Sequence, residues 1–336
     1  MIAVAGCGND LPSASFIEKL RVLMVQAEPP EVAPGQATAL DILAVEPPVQ
    51  MLDGGPPSPL TFLWLACTIP PGTVEQVPCG VGNGALDTIP PWCADQPGSS
   101  LCVIGTDQHG SYTPPASVLS AAGTGQILLT VAVADTPEGA TGCLMDTASN
   151  TGLPTNPDHC VLSLKRLTVS DPKRTLSNGM PAPPPNQNPK LIDLYYTDEV
   201  VNTSLVGDMG TFAPAPVTNA QSVRLVATRD ADSAEMEAQL DSDGNFTGFA
   251  YEALTVAWFT TAGKIDGGRS AFTPPACPTQ AMCPTQAPGA QVDTHWTPPT
   301  DAQLPGQITN GSIEFWAVIR DDRGGVSAKQ GIATKR

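Results

Sequence analysis

The sequence predicts an all-β protein in which two β-sandwich domains follow one another along the chain. One observation behind this prediction is composition, because the 336 residues include 36 prolines and 31 glycines. Each interior proline costs a helix about 3 kcal/mol, so such a chain favours short strands joined by turns. The other observation is an internal repeat that spans most of the chain. With 41% apolar residues, the chain can also form packed cores.

The repeat consists of four landmarks that occur twice in the same order. They are an apolar run around a tryptophan (Trp64 and Trp258), a Thr-Pro-Pro triplet (113–115 and 297–299), an alternating run (125–139 and 311–325) and a closing strand (160–170 and 325–334). A repeat of this kind indicates one domain type used twice.

The repeat also predicts the domain boundaries. We expect a first domain over 16–170 and a second over 189–336. Between them, 171–188 is rich in proline and is expected to act as a semi-rigid spacer in the polyproline II conformation.

Alternating side chains predict the central strand of each domain. Residues 127–133 and 313–319 alternate with period two, and the first of these runs is apolar at nearly every position. Apolar side chains on both faces are expected of a strand in the middle of a sandwich. Residues 321–325 then predict a hairpin turn into the last strand. We also expect Trp64 and Trp258 to be buried at equivalent places.

The nine cysteines predict disulfides and an oxidising compartment. Without Cys7, eight cysteines remain, and none of them forms the closely spaced pair that is typical of zinc sites. These eight are Cys67, Cys79, Cys93, Cys102, Cys143, Cys160, Cys277 and Cys283. We expect local bridges between Cys143 and Cys160 and between Cys277 and Cys283. The other four allow three pairings, and the spacing favours Cys67–Cys79 with Cys93–Cys102. We expect four long loops, at 68–110, 136–159, 230–251 and 266–293, and the bridges are expected to hold those that contain cysteines.

The start of the chain resembles the lipobox of bacterial lipoprotein signal peptides. The resemblance lies in Val4-Ala5-Gly6-Cys7, where small residues precede the cysteine. It implies that residues 1–15 are a signal remnant, a lipobox and a tether, and that lipid on Cys7 anchors an exported protein. The glycine after Cys7 resembles the signal that sorts lipoproteins to the outer membrane, and it implies that location. Because six residues are too few for a complete signal peptide, we expect the natural start to lie upstream. The alternative is an unmodified thiol at Cys7.

The repeated units resemble the Ig-like and PKD-like domains of bacterial cell-surface lipoproteins. The motifs that carry the resemblance are "EPPEVAPGQATAL" at 28–40, the tryptophan strand, the Thr-Pro-Pro strand and "AVIRDDRGGVS" at 317–327. The resemblance implies two tandem Ig-like sandwiches with long, disulfide-pinned loops. It implies no particular ligand.

Composition and motifs exclude several function classes. A net charge of −17 repels phosphate backbones and therefore argues against nucleic-acid binding. The three histidines, His109, His159 and His295, are scattered, and the sequence has no serine-hydrolase, zinc-protease or P-loop motif. His159 lies beside Cys160, where a disulfide explains the cysteine better than a metal does. We therefore expect a protein that is not an enzyme.

One acidic stretch has calcium-ligand spacing. Asp241, Asp243, Asn245, Thr247 and Glu252 fall at positions 1, 3, 5, 7 and 12 of an EF-hand count. Position 6, however, is phenylalanine where that loop needs glycine, and the alternative is a solvated turn between two strands. We expect no cofactor, with Ca²⁺ at this stretch as the alternative.

These observations predict a non-catalytic lipoprotein of the outer membrane, attached only by its lipid anchor. Its loops are expected to bind a protein partner or to mediate adhesion, since sandwich folds carry recognition on their loops. The alternative is a carbohydrate-binding module. Such a site needs exposed aromatic rings, and the candidates outside the repeated strands are Trp92, Tyr195 and Tyr196.

Overall fold

The computed structural model describes residues 14–47, 59–69, 79, 88–96, 99–150, 152–175, 179, 182, 184–197, 202–204, 215–217, 222–240, 246–272, 290–299 and 312–335. Two tandem Ig-like β-sandwich domains account for nearly all of this part of the chain. Cys7, Cys277, Cys283, Asp241, Asp243 and Asn245 lie outside it. No helix in the described part of the chain is both long and apolar enough to cross a bilayer.

Among its described residues, the first domain contains eight strands and one α-helix. They are β1 (Arg21–Glu28), β2 (Glu31–Val32), β3 (Thr38–Val45), β4 (Thr61–Thr68), β5 (Leu101–Gly105), β6 (His109–Tyr112), β7 (Thr124–Ala134), α1 (Gly139–Ser149) and β8 (Cys160–Ser170). One sheet has the order β1-β3-β6 and the other the order β2-β8-β7-β4-β5.

The second domain contains twelve strands among its described residues. They are β9 (Leu191–Thr197), β10 (Asn202–Ser204), β11 (Ala215–Val217), β12 (Val223–Arg229), β13 (Met236–Leu240), β14 (Phe246–Tyr251), β15 (Leu254–Thr260), β16 (Lys264–Asp266), β17 (Arg269–Phe272), β18 (Gln291–Thr297), β19 (Ser312–Arg320) and β20 (Val326–Lys335). Its sheets have the orders β10-β9-β12-β18-β16 and β11-β20-β19-β15-β17, with β13 and β14 forming a separate hairpin.

The pairing of strands repeats between the domains. In each, the tryptophan strand (β4 or β15) pairs antiparallel with the alternating strand (β7 or β19), which pairs antiparallel with the closing strand (β8 or β20). A short strand then pairs parallel with that closing strand, β2 with β8 and β11 with β20. The three landmarks that form these strands therefore correspond to the same positions in two copies of one fold.

Each domain has a core built around its tryptophan. Trp64 is 0% and Trp258 1% exposed, which confirms the prediction that both are buried. The indole N–H of Trp64 donates to Asp107 O at 2.8 Å, and that of Trp258 donates to Ser270 Oγ at 3.0 Å. Both buried donors are thus satisfied, as a close-packed core requires. The core of the second domain also holds Trp296, whose ring packs edge-on against that of Phe315 with 4.8 Å between the ring centroids.

Two of the predicted loops contain regular structure. Helix α1 occupies 139–149 inside the expected loop at 136–159, and the β13–β14 hairpin lies inside the expected loop at 230–251. The helix forms because Ala140, Cys143 and Leu144 are buried against the outer face of the five-stranded sheet of the first domain. Thr61 Oγ1 of β4 accepts the backbone N–H of Ala140 at 2.8 Å and so satisfies one of the free donors of the first turn.

Three disulfides hold the loops of the first domain. They join Cys67 to Cys79, Cys93 to Cys102 and Cys143 to Cys160. These are the pairs that the sequence spacing favoured. The third bridge links α1 to the first residue of β8 and so fixes the helix to the sheet.

The two domains are packed against each other. A buried apolar cluster joins Leu23 and Met24 of β1 to Trp316 and Val318 of β19, and Ile17 belongs to the same cluster. Residues 15–17 also pair with the second domain, because the N–H of Ile17 donates to Thr260 O at 3.0 Å. The predicted domain boundaries stay predictions, but the apolar contact shows that the domains are docked rather than held apart by a spacer.

Candidate functional site

A groove in the first domain holds the most exposed indole of the protein. Residues 91–93 lie next to β5, the edge strand of the five-stranded sheet of the first domain, and Trp92 forms a parallel bridge with Val103 of that strand. The N–H of Cys93 donates to Val103 O at 2.9 Å, and the N–H of Val103 donates to Pro91 O at 2.9 Å. The Cys93–Cys102 disulfide fixes the same segment to β5. Trp92 is therefore held in place by its neighbours in the backbone.

The exposure of Trp92 distinguishes it from every other tryptophan. Its side chain is 46% exposed, whereas the other four are at most 2% exposed. Beside it lies a groove of about 590 Å³, and none of the described residues that line this groove is charged. In a chain of net charge −17 such a surface is unusual, and it favours a neutral ligand or the neutral part of a larger one.

The opposite wall of the groove is rigid. It is formed by Pro34, Gly35 and the Thr-Pro-Pro segment at 113–115. Gly35 has a φ of +77°, which favours glycine at this turn, and its N–H donates to Pro114 O at 2.9 Å. Tyr112 also lines the groove, and burial raises the pKa of its hydroxyl. Both walls are therefore preorganised by prolines, a disulfide and backbone hydrogen bonds.

The other aromatic candidates from the sequence do not join Trp92. Tyr195 and Tyr196 lie on β9 in the second domain, and Tyr196 belongs to the core of that domain at 7% exposure. Alternation along β9 turns Tyr196 into the sandwich and Tyr195 to the other face of the sheet.

A polar centre lies between the two domains. Glu31 of β2 is 4% exposed in its side chain, and Arg323 of the β19–β20 turn donates to it at 2.7 Å. Ser170 Oγ donates to Glu31 at 2.5 Å and the N–H of Asn186 donates at 2.9 Å. Burial alone raises the pKa of Glu31, but these hydrogen bonds and the Arg323 guanidinium bring it below its ordinary value. Glu31 is therefore ionised and fully partnered.

Arg323 also binds two carboxyl groups of its own domain. It lies 3.1 Å from the fully buried Glu252 and 3.5 Å from Glu235. Burial and the nearby Asp321 outweigh Arg323 and raise the pKa of Glu252 to about 8. Glu252 therefore carries a proton at neutral pH. Sequence analysis did not predict this interdomain network, which consists of Glu31, Asn186, Glu235, Glu252, Asp321 and Arg323.

The linker residues complete the contact between the domains. Asn188 Nδ2 donates to Ala27 O and to Glu28 Oε2, both at 2.7 Å, while its Oδ1 accepts the N–H of Val326 at 2.8 Å. Asn186 and Asn188 are both buried. One side chain thus bridges β1 of the first domain and β20 of the second.

The calcium candidate is not assembled by the residues that the structure describes. Glu252 accepts hydrogen bonds from Arg323 at 3.1 Å and from the N–H of Glu235 at 3.3 Å. It follows β14, whose extended backbone advances about 3.3 Å per residue and so leads away from a loop that must curl around an ion. Asp241, Asp243 and Asn245 lie outside the described residues. Within the described chain, no group of three His, Cys, Asp or Glu side chains is arranged to hold a metal.

Two of the histidines contact carboxylates on the surface. His109 Nδ1 lies 2.8 Å from Asp41, and His159 Nδ1 lies 2.9 Å from Asp135. Next to the second pair, burial and Asp135 raise the pKa of Glu46 to about 7. Cys160 is bonded to Cys143 and therefore supplies no thiol beside His159.

Comparisons with known proteins add little to this geometry. No protein-family profile matches the chain, and no curated protein sequence matches it either. The chain is similar to the fibronectin(III)-like modules of Clostridium thermocellum CbhA, with 11% identity, 94% of each chain covered and a TM-score of 0.19. It is also similar to trypsin-activated alpha-2-macroglobulin from Escherichia coli, with 13% identity, 94% of this chain and 18% of that chain covered and a TM-score of 0.23.

A third similar structure is the Yersinia pseudotuberculosis adhesin InvE. Identity is 12%, the TM-score is 0.18, and 92% of this chain and 58% of that chain are covered. At TM-scores this low, the similarities carry no argument about function.

Proposed function

We propose that this chain is a non-catalytic interaction protein of the bacterial cell envelope, and that it binds a protein partner through the groove beside Trp92. The observation that carries the proposal is the half-exposed indole of Trp92, held by a bridge to β5 and by the neighbouring disulfide. Binding energy at protein interfaces is concentrated in a few residues, and tryptophan is prominent among them.

The surroundings of Trp92 suit a protein interface in two ways. The groove is uncharged, so a partner does not have to desolvate unpaired charges when it fills the groove. Its walls are already fixed in the free protein by the Pro34–Gly35 turn, the Thr-Pro-Pro segment and the Cys93–Cys102 bridge. A preorganised surface loses little conformational entropy on binding.

The test is cross-linking in the native envelope, followed by mass spectrometry. Wild-type protein is expected to yield a reproducible protein neighbour, and Trp92→Ala is expected to lose it. Leu153→Ala is the matched control, because Leu153 is a large apolar side chain that is 72% exposed and lies outside the groove. If Trp92→Ala retains the neighbour, or if wild-type protein yields none, the proposed function is wrong.

A specific observation favours a second candidate, carbohydrate binding. The half-exposed indole of Trp92 offers a flat apolar face, and Gln96, Ser111 and Thr113 supply neutral hydrogen-bonding groups in the same groove. A glycan array distinguishes the two candidates. Strong binding of a saccharide that Trp92→Ala abolishes and Leu153→Ala preserves would replace the protein partner with a glycan.

Attachment to the outer membrane is part of the same proposal. It rests on the lipobox-like residues that end in Cys7. Metabolic labelling with a fatty-acid analogue in the native host is expected to label the wild-type protein but not Cys7→Ser. An unlabelled wild-type protein that is released in soluble form on cell fractionation would contradict the anchor, without bearing on the Trp92 groove.

A further inference from the structure

A cavity of about 460 Å³ opens between the two domains, beside the turn that carries Arg323. Strands β1, β7 and β8 of the first domain line one side, and the β19–β20 turn of the second domain lines the other. The cavity is distinct from the Trp92 groove, with which it shares no lining residue. Anything bound here would contact both domains at once.

Four cations and two carboxylates line this cavity among the described residues: Lys165 and Arg166 of the first domain, and Arg320, Asp321, Asp322 and Arg323 of the second. Two of the cations, Lys165 and Arg320, each bind the opposite domain. Lys165 of β8 donates from Nζ to the carbonyl oxygen of Gly324, and Arg320 of β19 donates from Nη2 to Leu23 O at 2.6 Å. Each cation thus reaches a backbone carbonyl of the other domain. Lys165 is 8% exposed, and Arg320 is partly buried.

Neither cation has an ion-pair partner within the described residues. Among the side chains that the structure describes, no carboxylate forms an ion pair within 4 Å of Lys165 Nζ or of the Arg320 guanidinium. The charge of Asp321 acts to raise the pKa of Lys165, but the Asp321 oxygens accept hydrogen bonds from the N–H of Gly325 and from Asn186 Nδ2. Buried charges in proteins are normally paired, so this pair of cations requires an explanation.

The two cations also repel each other. Burial lowers the pKa of Lys165 to about 8, and the charge of Arg320 contributes to the same shift. Burial and Arg269 lower the pKa of Arg320. Only 16 of the 336 residues are lysine or arginine, against 33 acidic residues, so carboxylates to pair them are plentiful in this chain. A partner supplied from outside the chain would remove the repulsion.

We infer that this cavity is a binding site for the phosphate group of a small molecule, held between Lys165 and Arg320. A phosphate monoester has a second pKa of about 6, so it is close to doubly negative at neutral pH and balances two cations. Arginine and lysine are the usual phosphate-binding side chains. Gln126, Ser163 and Thr168 line the same cavity and supply neutral donors for the remaining phosphate oxygens. The volume exceeds that of a bare phosphate and leaves room for a small organic group.

The test titrates inorganic phosphate into the purified full chain and follows both thermal unfolding and heat of binding. Chloride at equal ionic strength is the reference, because it reproduces screening without filling the site. Saturable binding is expected, with a Tm that rises with phosphate concentration because the ligand binds only the folded state. Lys165→Met and Arg320→Gln are each expected to weaken binding at least tenfold. Lys264→Met, which removes a lysine that is 74% exposed, should bind as the wild type does.

A second measurement separates a binding site from a structural role and does not depend on the variants folding. Phosphate added to isotopically labelled wild-type protein is expected to shift the amide resonances of Ser163, Gly324 and Gly325 on both sides of the cavity. In chloride, Lys165→Met should be no less stable than the wild type, because it removes a buried charge that repels Arg320. No saturable phosphate response, shifts confined to other surfaces, or unchanged affinity in Lys165→Met would each overturn the inference.

Discussion

Strands β7 and β19 occupy equivalent places in the two domains, but their outer faces are covered in different ways. Leu128 and Ala132 on the outer face of β7 pack against α1 and the Cys143–Cys160 bridge of their own domain. Trp316 and Val318 on the outer face of β19 pack against Leu23 and Met24 of the other domain. A strand that is apolar on both faces therefore predicts that both faces are covered, but not which element covers them.

The difference makes the two domains unequal in how they depend on each other. The first domain closes its own outer sheet with a helix and a disulfide. Among the described residues, the outer sheet of the second domain is covered by docking on β1, and the interdomain network around Arg323 reinforces that contact. We therefore expect damage at the interface to cost more stability than damage at the outer face of the first domain.

The largest expected effect comes from Arg323→Met. Arg323 is the cation that Glu31, Glu235 and Glu252 share, and its removal leaves the buried Glu31 carboxylate with fewer partners. Removing one partner of a buried ion pair typically costs about 3–5 kcal/mol. The free energy of unfolding, measured by urea denaturation, should fall by that amount.

The matched control for this variant is Arg224→Met. Arg224 forms a two-pronged pair with Asp293, but its side chain is 49% exposed. Exposed pairs contribute about 0–1 kcal/mol. Equal losses in the two variants would mean that the interdomain network does not stabilise the docked domains.

A smaller effect is expected when the first domain loses its own support. Replacing Cys143 and Cys160 together by alanine removes a bridge between residues 17 apart that fixes α1 to β8. A disulfide typically contributes about 2–4 kcal/mol by constraining the unfolded chain. Urea denaturation should show a loss in this range. It should leave the amide resonances around Trp316 unchanged, and a change there would contradict the separate support of the two outer faces.

The sequence predicted the parts of this comparison that depend on local pattern. The repeat, the alternation and the turn residues gave the sandwiches, and the burial of Trp64 and Trp258 followed from the same pattern. It also named Trp92 as a candidate, because this aromatic residue lies outside the repeated strands. It missed α1, because this short helix depends on packing against the sheet and on Thr61, which lies 79 residues earlier than Ala140.

The interdomain features had no local signal. Glu31 and Arg323 are 292 residues apart, and no pattern in the sequence links them. Only docking of the domains brings the two side chains together. The cavity between Lys165 and Arg320 escapes sequence analysis for the same reason, since each cation belongs to a different domain.

The smallest effect at neutral pH is expected for Glu252→Gln, which tests the protonation of the interface. Glu252 already carries a proton at pH 7, so an uncharged side chain of similar shape should cost at most about 1 kcal/mol there. The variant should differ from the wild type in its pH dependence. The folded-state pKa of about 8 lies above the ordinary value of 4.5, so the folded protein binds a proton that the unfolded chain has already lost.

The contribution of Glu252 is therefore complete below pH 4.5, declines as the pH rises and is gone above pH 8. Lys165 acts in the opposite direction above pH 8, because its folded-state pKa is lowered, so the measurement belongs between pH 5 and 8. Over that window Glu252→Gln should lose stability less steeply than the wild type does. Glu46→Gln in the first domain is the comparison, since a pKa of about 7 ends its contribution about one pH unit earlier. If Glu252→Gln follows the wild-type curve up to pH 8, Glu252 is ionised at neutral pH and the interface holds no proton.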